Sequence, residues 1–277
     1  MHMERPTAEI GVFGGSGFYS LATGAKSYAL HTPYGQPSDR VTVAEVAGRK
    51  VAFLPRHGAH HQYPPHAINY QANLWVMREL GVTRIIAPSA CGSLRAEVEP
   101  GHFVFCDQFV NLTHGRKDTF YDGPLSVHIS TEEPYCPELR EIGCRVAGEL
   151  GIPFHREGTV VVIQGPRFST RAESRWFLQA GWSVINMTQY PEVVLARELG
   201  ICYLNISLVT DWDVGLAGEP GVRTVSADEV ARVFNQNNEK LKELLFKLIP
   251  SIPGSRGCGC KDSLEGAIIS PMESMED

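Results

Sequence analysis

Residues 183–213 read SVINMTQYPEVVLARELGICYLNISLVTDWD, and this stretch decides the fold class. Ser183 to Met187 is a short strand pattern. Pro191 to Leu199 reads as a helix, and Gly200 stops it. Ile201 to Thr210 is a long, largely apolar strand. A strand, a helix and a buried strand in about 30 residues make the repeating unit of an α/β architecture around a largely parallel sheet.

The same alternation extends outward. Ile10 to Phe13 is a short apolar strand ending in Gly14-Gly15. Val41 to Val46 and Val51 to Leu54 form a strand pair around a turn near Gly48. Ala67 to Leu80 has helical spacing, with Ile68, Ala72, Trp75, Val76 and Leu80 on one face. Arg84 to Ala90 is a buried strand stopped by Gly92, and His102 to Val110 is another strand. Pro137 to Leu150 is a helix, Thr159 to Gln164 a strand, and Ala172 to Ala180 a helix. Ser226 to Leu248 is a long amphipathic helix with Ser226 placed to cap it. No linker interrupts residues 1–250, so they read as one domain. Residues 251–277 hold Pro, Gly, Ser, two Cys and an acidic end, and read as a flexible tail.

The chain has 277 residues, 43% of them hydrophobic, enough to bury a large core. Charged residues are 20% and the net charge is −6, with no basic block. That excludes the usual grip on a nucleic-acid backbone. It leaves room for a small anion held by a few local donors. No run has the length of a membrane helix, and Met-His-Met-Glu-Arg-Pro is not a secretion signal. The expectation is a cytoplasmic protein that binds neither membrane nor nucleic acid. Five of the seven cysteines (Cys91, Cys106, Cys136, Cys144, Cys202) sit in or near apolar segments as reduced small hydrophobes. Cys258-Gly-Cys260 lies in the expected tail, where two thiols are too few for a structural zinc site.

Chemistry concentrates where strands end, as in α/β sheets generally. Gly14-Gly15-Ser16-Gly17 allows close backbone approach to an anion, or is simply a tight turn. Arg56-His57-Gly58 puts a guanidinium and an imidazole after a strand, and His60 and His61 follow. No cysteine or carboxylate nearby has metal-ligand spacing. Ser89-Ala90-Cys91-Gly92 offers backbone N–H groups and a hydroxyl, or is a packing turn. Gly165-Pro166 sets Phe168 at a rim, where a ring stacks on a base or packs in the core. Met187-Thr188 adds a soft apolar surface and a hydroxyl. Thr210-Asp211-Trp212-Asp213 places two carboxyls two residues apart on one side of an extended chain. A carboxyl at the edge of a buried strand has a raised pKa and donates a proton to a leaving base; the plain alternative is a capped turn.

In this order GGSGF, TPYGQPSD, RHG…NYQANLW, ACGSL, FYDG, QGPRFSTRAES, NMTQYPE and TDWDVG resemble the methylthioadenosine phosphorylase branch of the trimeric purine-nucleoside phosphorylases. The resemblance runs from about residue 9 to about residue 249. It implies one α/β domain with a mixed, twisted central sheet flanked by helices. It also implies a homotrimer, and no metal or organic cofactor. Phosphate would be bound by Ser16, Arg56, His57, Ser89, the Ala90 N–H and Thr188. Met187 would lie against the ribose and Phe168 on the base, with Ser169 beside it. Asp211 and Asp213 would face the purine N7 and 6-amino edge, with Asp211 catalytic. His128 would reach the 5′ side of a neighbouring subunit's site. Ala227, Val230 and Ala231 would line the 5′-methylthio pocket.

The implied reaction is phosphorolysis of 5′-methylthioadenosine. Competing readings are another purine nucleoside, hydrolysis by water, and a nucleoside-binding protein without turnover. Two carboxylates favour a 6-aminopurine, because an ionised carboxylate repels a 6-oxo group. The dense phosphate-binding set argues against water, and the acid pair against a passive binder.

Overall fold

The computed structural model describes residues 6–14, 23–218 and 227–269. The alternation of strand and helix patterns is realised as a mixed sheet with helices on both faces. Its strands are β1 (Ile10–Phe13), β2 (Thr23–Tyr28), β3 (Val41–Val46), β4 (Arg49–Leu54), β5 (Arg84–Ser93), β6 (Phe103–Val104) and β7 (Gln108–Leu112). They continue with β9 (Phe154–His155), β10 (Thr159–Ile163), β11 (Val184–Asn186) and β12 (Cys202–Trp212), while β8 (Ser126–Val127) and β13 (Ile268–Ile269) form a separate two-stranded antiparallel sheet. The helices are α1 (Tyr70–Glu79), α2 (Pro137–Glu149), α3 (Arg171–Gln179), α4 (Gln189–Glu198) and α5 (Ala227–Ser251).

The sheet runs β2-β3-β4-β1-β5-β11-β10-β7, and β12, β6 and β9 branch from it. β5 is the junction. Arg84 to Ile86 pair in parallel with β1, while Gly92 and Ser93 pair antiparallel with β11. β12 follows the opposite edge of β5 from Arg84 to Ser93. β1 and β11 thus share one edge, and the sheet opens where β1 stops.

Two expectations change here. β5 does not stop at Gly92. It passes through it, because glycine is the residue that fits: a Cβ there would lie 3.1 Å from Ile185 and 3.2 Å from Asp211. Residues 102–110 are not one strand but two, β6 and β7, each with its own partner strands.

Side-chain alternation places the two larger core clusters on opposite faces of the sheet. Ile10 and Val12 of β1 and Leu204, Ile206 and Leu208 of β12 point to the side covered by α2 and α5. Phe13 and Tyr203 point to the side covered by α1 and α4. Truncating a fully buried residue such as Ile206 to Ala costs about 2–5 kcal/mol. No described helix is long and apolar enough to cross a membrane.

The expected flexible tail is also corrected for residues 252–269, while 270–277 lie outside the described residues. After α5 the chain folds back onto the domain. Arg84 Nη2 donates to Ser255 O at 2.7 Å, and Arg256 Nη1 to Gly200 O at 2.6 Å. Ser263 Oγ donates to Arg197 O at 2.6 Å, and Ile268 pairs with Val127. The partners of this segment lie far away in sequence, so its Gly/Ser composition read as tail.

Candidate active site

The ends of β1, β4, β5, β11 and β12 converge on one cavity of about 560 Å³. Arg56, His57, Ser89, Ala90, Phe168, Ser169, Met187, Thr188, Asp211 and Asp213 all line it. They come from separate strand ends, and the topology brings them together. Ser16 lies outside the described residues. Ala227, Val230 and Ala231 fall in the first turns of α5, but their side chains lie outside the described set.

One end of the cavity is built from donors. Arg56 is buried, with its Nε 2.5 Å from Glu192 Oε1 and its Nη2 3.0 Å from Oε2. Its Nη1 donates to Pro88 O at 3.1 Å. Burial disfavours the guanidinium charge, but Glu192 more than offsets this and raises the pKa above its usual value. Three of its five N–H bonds are used, which leaves two to offer an anion. Tyr203 OH donates to Glu192 Oε2 at 2.7 Å, so the carboxylate is itself held in place.

Ser89 is buried on β5. Its Oγ accepts from Asn205 Nδ2 at 3.0 Å and from Asn186 Nδ2 at 3.2 Å. Both acceptor positions are filled, so its O–H is left to donate. Thr188 is buried and does not cap α4. His57 stacks on His61 with centroids 4.4 Å apart, and its Nδ1 lies 2.8 Å from Tyr63 O. Burial, opposed by the Tyr63 O bond and helped by Arg56 and His61, lowers its pKa to about 4, so the ring is neutral at physiological pH.

The other end carries the acids. β12 shifts register against β5 between Val209 and Asp211. The extra residue, Thr210, donates its hydroxyl to Asp211 Oδ1 at 2.7 Å. Asp211 is only 8% exposed. Burial raises its pKa to about 6; the Thr210 bond opposes this and Asp213 adds to it. Asp213 is held differently: Ser169 Oγ lies 2.8 and 2.6 Å from its two oxygens. Both carboxyls are thus buried and each accepts a hydroxyl, Asp211 from Thr210 and Asp213 from Ser169.

Between the ends lie Met187 and Phe168. Phe168 is 45% exposed, which removes the core-packing alternative for this ring. Thr170 and Glu173 form a capping box at the start of α3 and fix the loop that carries it. Gly165 has φ +63°, and a Cβ there would fall 2.5 Å from Met187 Sδ.

Three residues with no role in the sequence reading organise this site. Glu192 orients Arg56, and Asn205 orients Ser89. Arg116 donates to Met187 O at 2.9 Å, Tyr190 O at 2.5 Å and Gln164 O at 2.9 Å, tying the two loops together. The available signals were a carboxylate, Glu192, opening the apolar helix pattern after NMTQYP, and a lone amide, Asn205, inside the apolar run 201–210. His128 lies elsewhere, in a separate hollow with Asp118, Tyr121, Tyr190 and Glu198, so within one chain it does not meet the cavity.

The arrangement can hold an anion at one end, a flat base at the other and a proton near that base. Residues 9–250 match the phosphorylase superfamily. The S-methyl-5′-thioadenosine phosphorylase of Thermofilum pendens is 54% identical over 94% of this chain and 98% of its own. The purine nucleoside phosphorylase of Streptomyces coelicolor is 47% identical over 94% of this chain and 95% of its own. The solved methylthioadenosine phosphorylase of Schistosoma mansoni in complex with adenine is 34% identical, with a TM-score of 0.88 over 94% of this chain and 98% of that one.

Proposed function

The chain belongs to the phosphorylase superfamily, and on that premise we propose that it cleaves 5′-methylthioadenosine with inorganic phosphate, giving adenine and 5-methylthioribose 1-phosphate. The observation that carries this reading is the single cavity shared by Arg56, Ser89 and Thr188 at one end and Asp211 at the other.

The bond to break joins ribose C1′ to purine N9. As it stretches, the sugar gains oxocarbenium character and the base gains negative charge. Phosphate held by Arg56, His57, Ser89, the Ala90 N–H, Thr188 and Ser16 lies below C1′. It stabilises the cation and then attacks it. Asp211, protonated in part near neutrality, donates to N7 or holds the proton there. Met187 faces the ribose, Phe168 stacks on the base, and Asp213, set by Ser169, receives the 6-amino edge. Ala227, Val230 and Ala231 line the 5′-methylthio pocket. No metal or organic cofactor takes part in this step.

The working form in this reading is a cytoplasmic homotrimer in which His128 reaches a neighbour's 5′ pocket. In support, Ile268 and Ile269 of β13 are 47% and 57% exposed beside the strand that leads into His128. Light scattering at several concentrations tests the assembly state.

The decisive experiment incubates methylthioadenosine with and without phosphate. Adenine release that needs phosphate, with a sugar 1-phosphate as co-product, is the expected result. Release without phosphate means hydrolysis. The Streptomyces relative keeps a second reading open, phosphorolysis of another purine nucleoside. The two carboxyls favour 6-aminopurines over 6-oxopurines, and a panel including inosine and guanosine distinguishes the two.

A further inference from the structure

Four cysteines unused by the nucleoside site come together on the far side of the domain. Cys136 is the N-cap of α2, Cys202 opens β12, and Cys258 and Cys260 lie in the segment after α5. Their four Sγ atoms all lie within 4.8 Å of one another. The sulfurs of Cys202 and Cys258 are 3.4 Å apart. None of the four lines the nucleoside cavity.

Packing alone is a poor account of this cluster. A buried thiol behaves as a small hydrophobe and gains little from touching three others. Four such groups drawn from three separate parts of the chain meet at one point. A zinc ion about 2.3 Å from each of four thiolates sets the sulfurs about 3.8 Å apart, which this grouping accommodates. Cys136 Sγ also accepts the Leu139 N–H at 3.5 Å, which fixes its direction at the start of α2. Gly-rich residues 254–259 carry almost no apolar side chains of their own. A metal clip supplies the cross-link that a hydrophobic core does not supply there.

We propose that Cys136, Cys202, Cys258 and Cys260 form a tetrahedral four-sulfur site that binds one zinc ion and clamps the C-terminal segment onto α2 and β12. The role is structural: all four coordination positions are filled by protein, so none is open to substrate. Binding displaces the thiol protons to solvent and changes no oxidation state. This departs from the expectation of no metal, which rested on the resemblance and, for Cys258-Gly-Cys260, on there being only two thiols.

The test uses the full-length chain purified without a metal-affinity tag. Elemental analysis after desalting is expected to find about one zinc per chain. Cobalt(II) added to the reduced, metal-stripped chain is expected to give the visible bands and thiolate-to-cobalt band of a tetrahedral sulfur site. Zinc should bleach them at 1:1. Cys258→Ser, at the most exposed of the four, should alter those bands and weaken cobalt binding at least about tenfold. Because it leaves the three buried thiols in place, it reads the site even if the Cys258→Ser/Cys260→Ser double variant fails to fold. Two results overturn the proposal. One is a metal-free chain about four hydrogen masses lighter than its reduced form, which means two disulfides. The other is four free thiols that take up no cobalt.

Discussion

Glu192 grips Arg56 through two hydrogen bonds, Nε to Oε1 at 2.5 Å and Nη2 to Oε2 at 3.0 Å, with the two side chains 7% and 0% exposed. A charge pair this deep is retained for geometry. It aims the two remaining N–H bonds of Arg56 into the cavity and keeps the guanidinium from swinging away. Glu192→Gln keeps the shape and removes the charge. Breaking a buried pair costs about 3–5 kcal/mol, and the cost for this near-isosteric change should fall at or below that range. We expect a lower urea midpoint and a KM for phosphate raised at least about tenfold, with a smaller change in KM for the nucleoside. Equal rises in both constants would assign Glu192 to folding alone.

Asp211→Asn removes the proton donor with little change in volume. Turnover of methylthioadenosine should fall by about 10²–10⁴-fold. The wild-type kcat/KM should bend downward as pH rises through about 6, where Asp211 loses its proton. That limb should vanish in the variant. A wild-type profile flat from pH 5 to pH 8 would remove Asp211 from the proton step.

The same raised pKa has a stability consequence. The folded carboxyl titrates near 6 and the unfolded one near 3.8, so the native state holds the proton more tightly. Stability therefore falls as pH rises from about 4 to about 6, by on the order of 2–3 kcal/mol, and the loss is complete above that window. Asp211→Asn carries no such penalty. Its Tm should exceed that of the wild type at pH 8, and the gap should close towards pH 4. Parallel Tm curves across that range would contradict the buried, ionisable assignment.

Phe168 is 45% exposed on a loop fixed by the Thr170–Glu173 capping box. Phe168→Ala should leave the urea midpoint almost unchanged, because little apolar surface is lost from the core. Loss of stacking on a base costs about 1–3 kcal/mol, so nucleoside KM should rise about 5- to 150-fold. A large drop in stability with unchanged KM would make the ring a packing residue.

Gly92 leaves little room for a side chain. A Cβ would lie 3.1 Å from Ile185 and 3.2 Å from Asp211 Oδ2. Gly92→Ala should destabilise by about 1–3 kcal/mol and displace the acid. We expect a lower kcat with phosphate KM preserved. Wild-type kcat in this variant would show that the acid tolerates displacement.

Much of the architecture was legible because its signals are local. Apolar periodicity and glycine stops marked β1, β3, β10, β12 and the five helices, with boundaries within a few residues. Tyr190 is extended, so regular helix in α4 starts at Pro191, where the sequence reading begins it. β2 was missed because five of its six residues are exposed and carry no alternating apolar pattern. The single strand read at 102–110 failed because an apolar run does not reveal where it changes partners.

The chain's own order of residues determined an α/β fold and the chemical character of each strand end, since strand period, turn residues and hydroxyl or carboxyl content are written within a few neighbours. Only the tertiary structure decided which of those ends share one cavity. It alone joined Arg56 to Glu192 across 136 positions, set two asparagines on Ser89, and gathered four cysteines from three regions. The physical reason is that such pairings depend on which strands lie side by side at the β5 junction, and strand neighbours leave no periodic trace in the sequence.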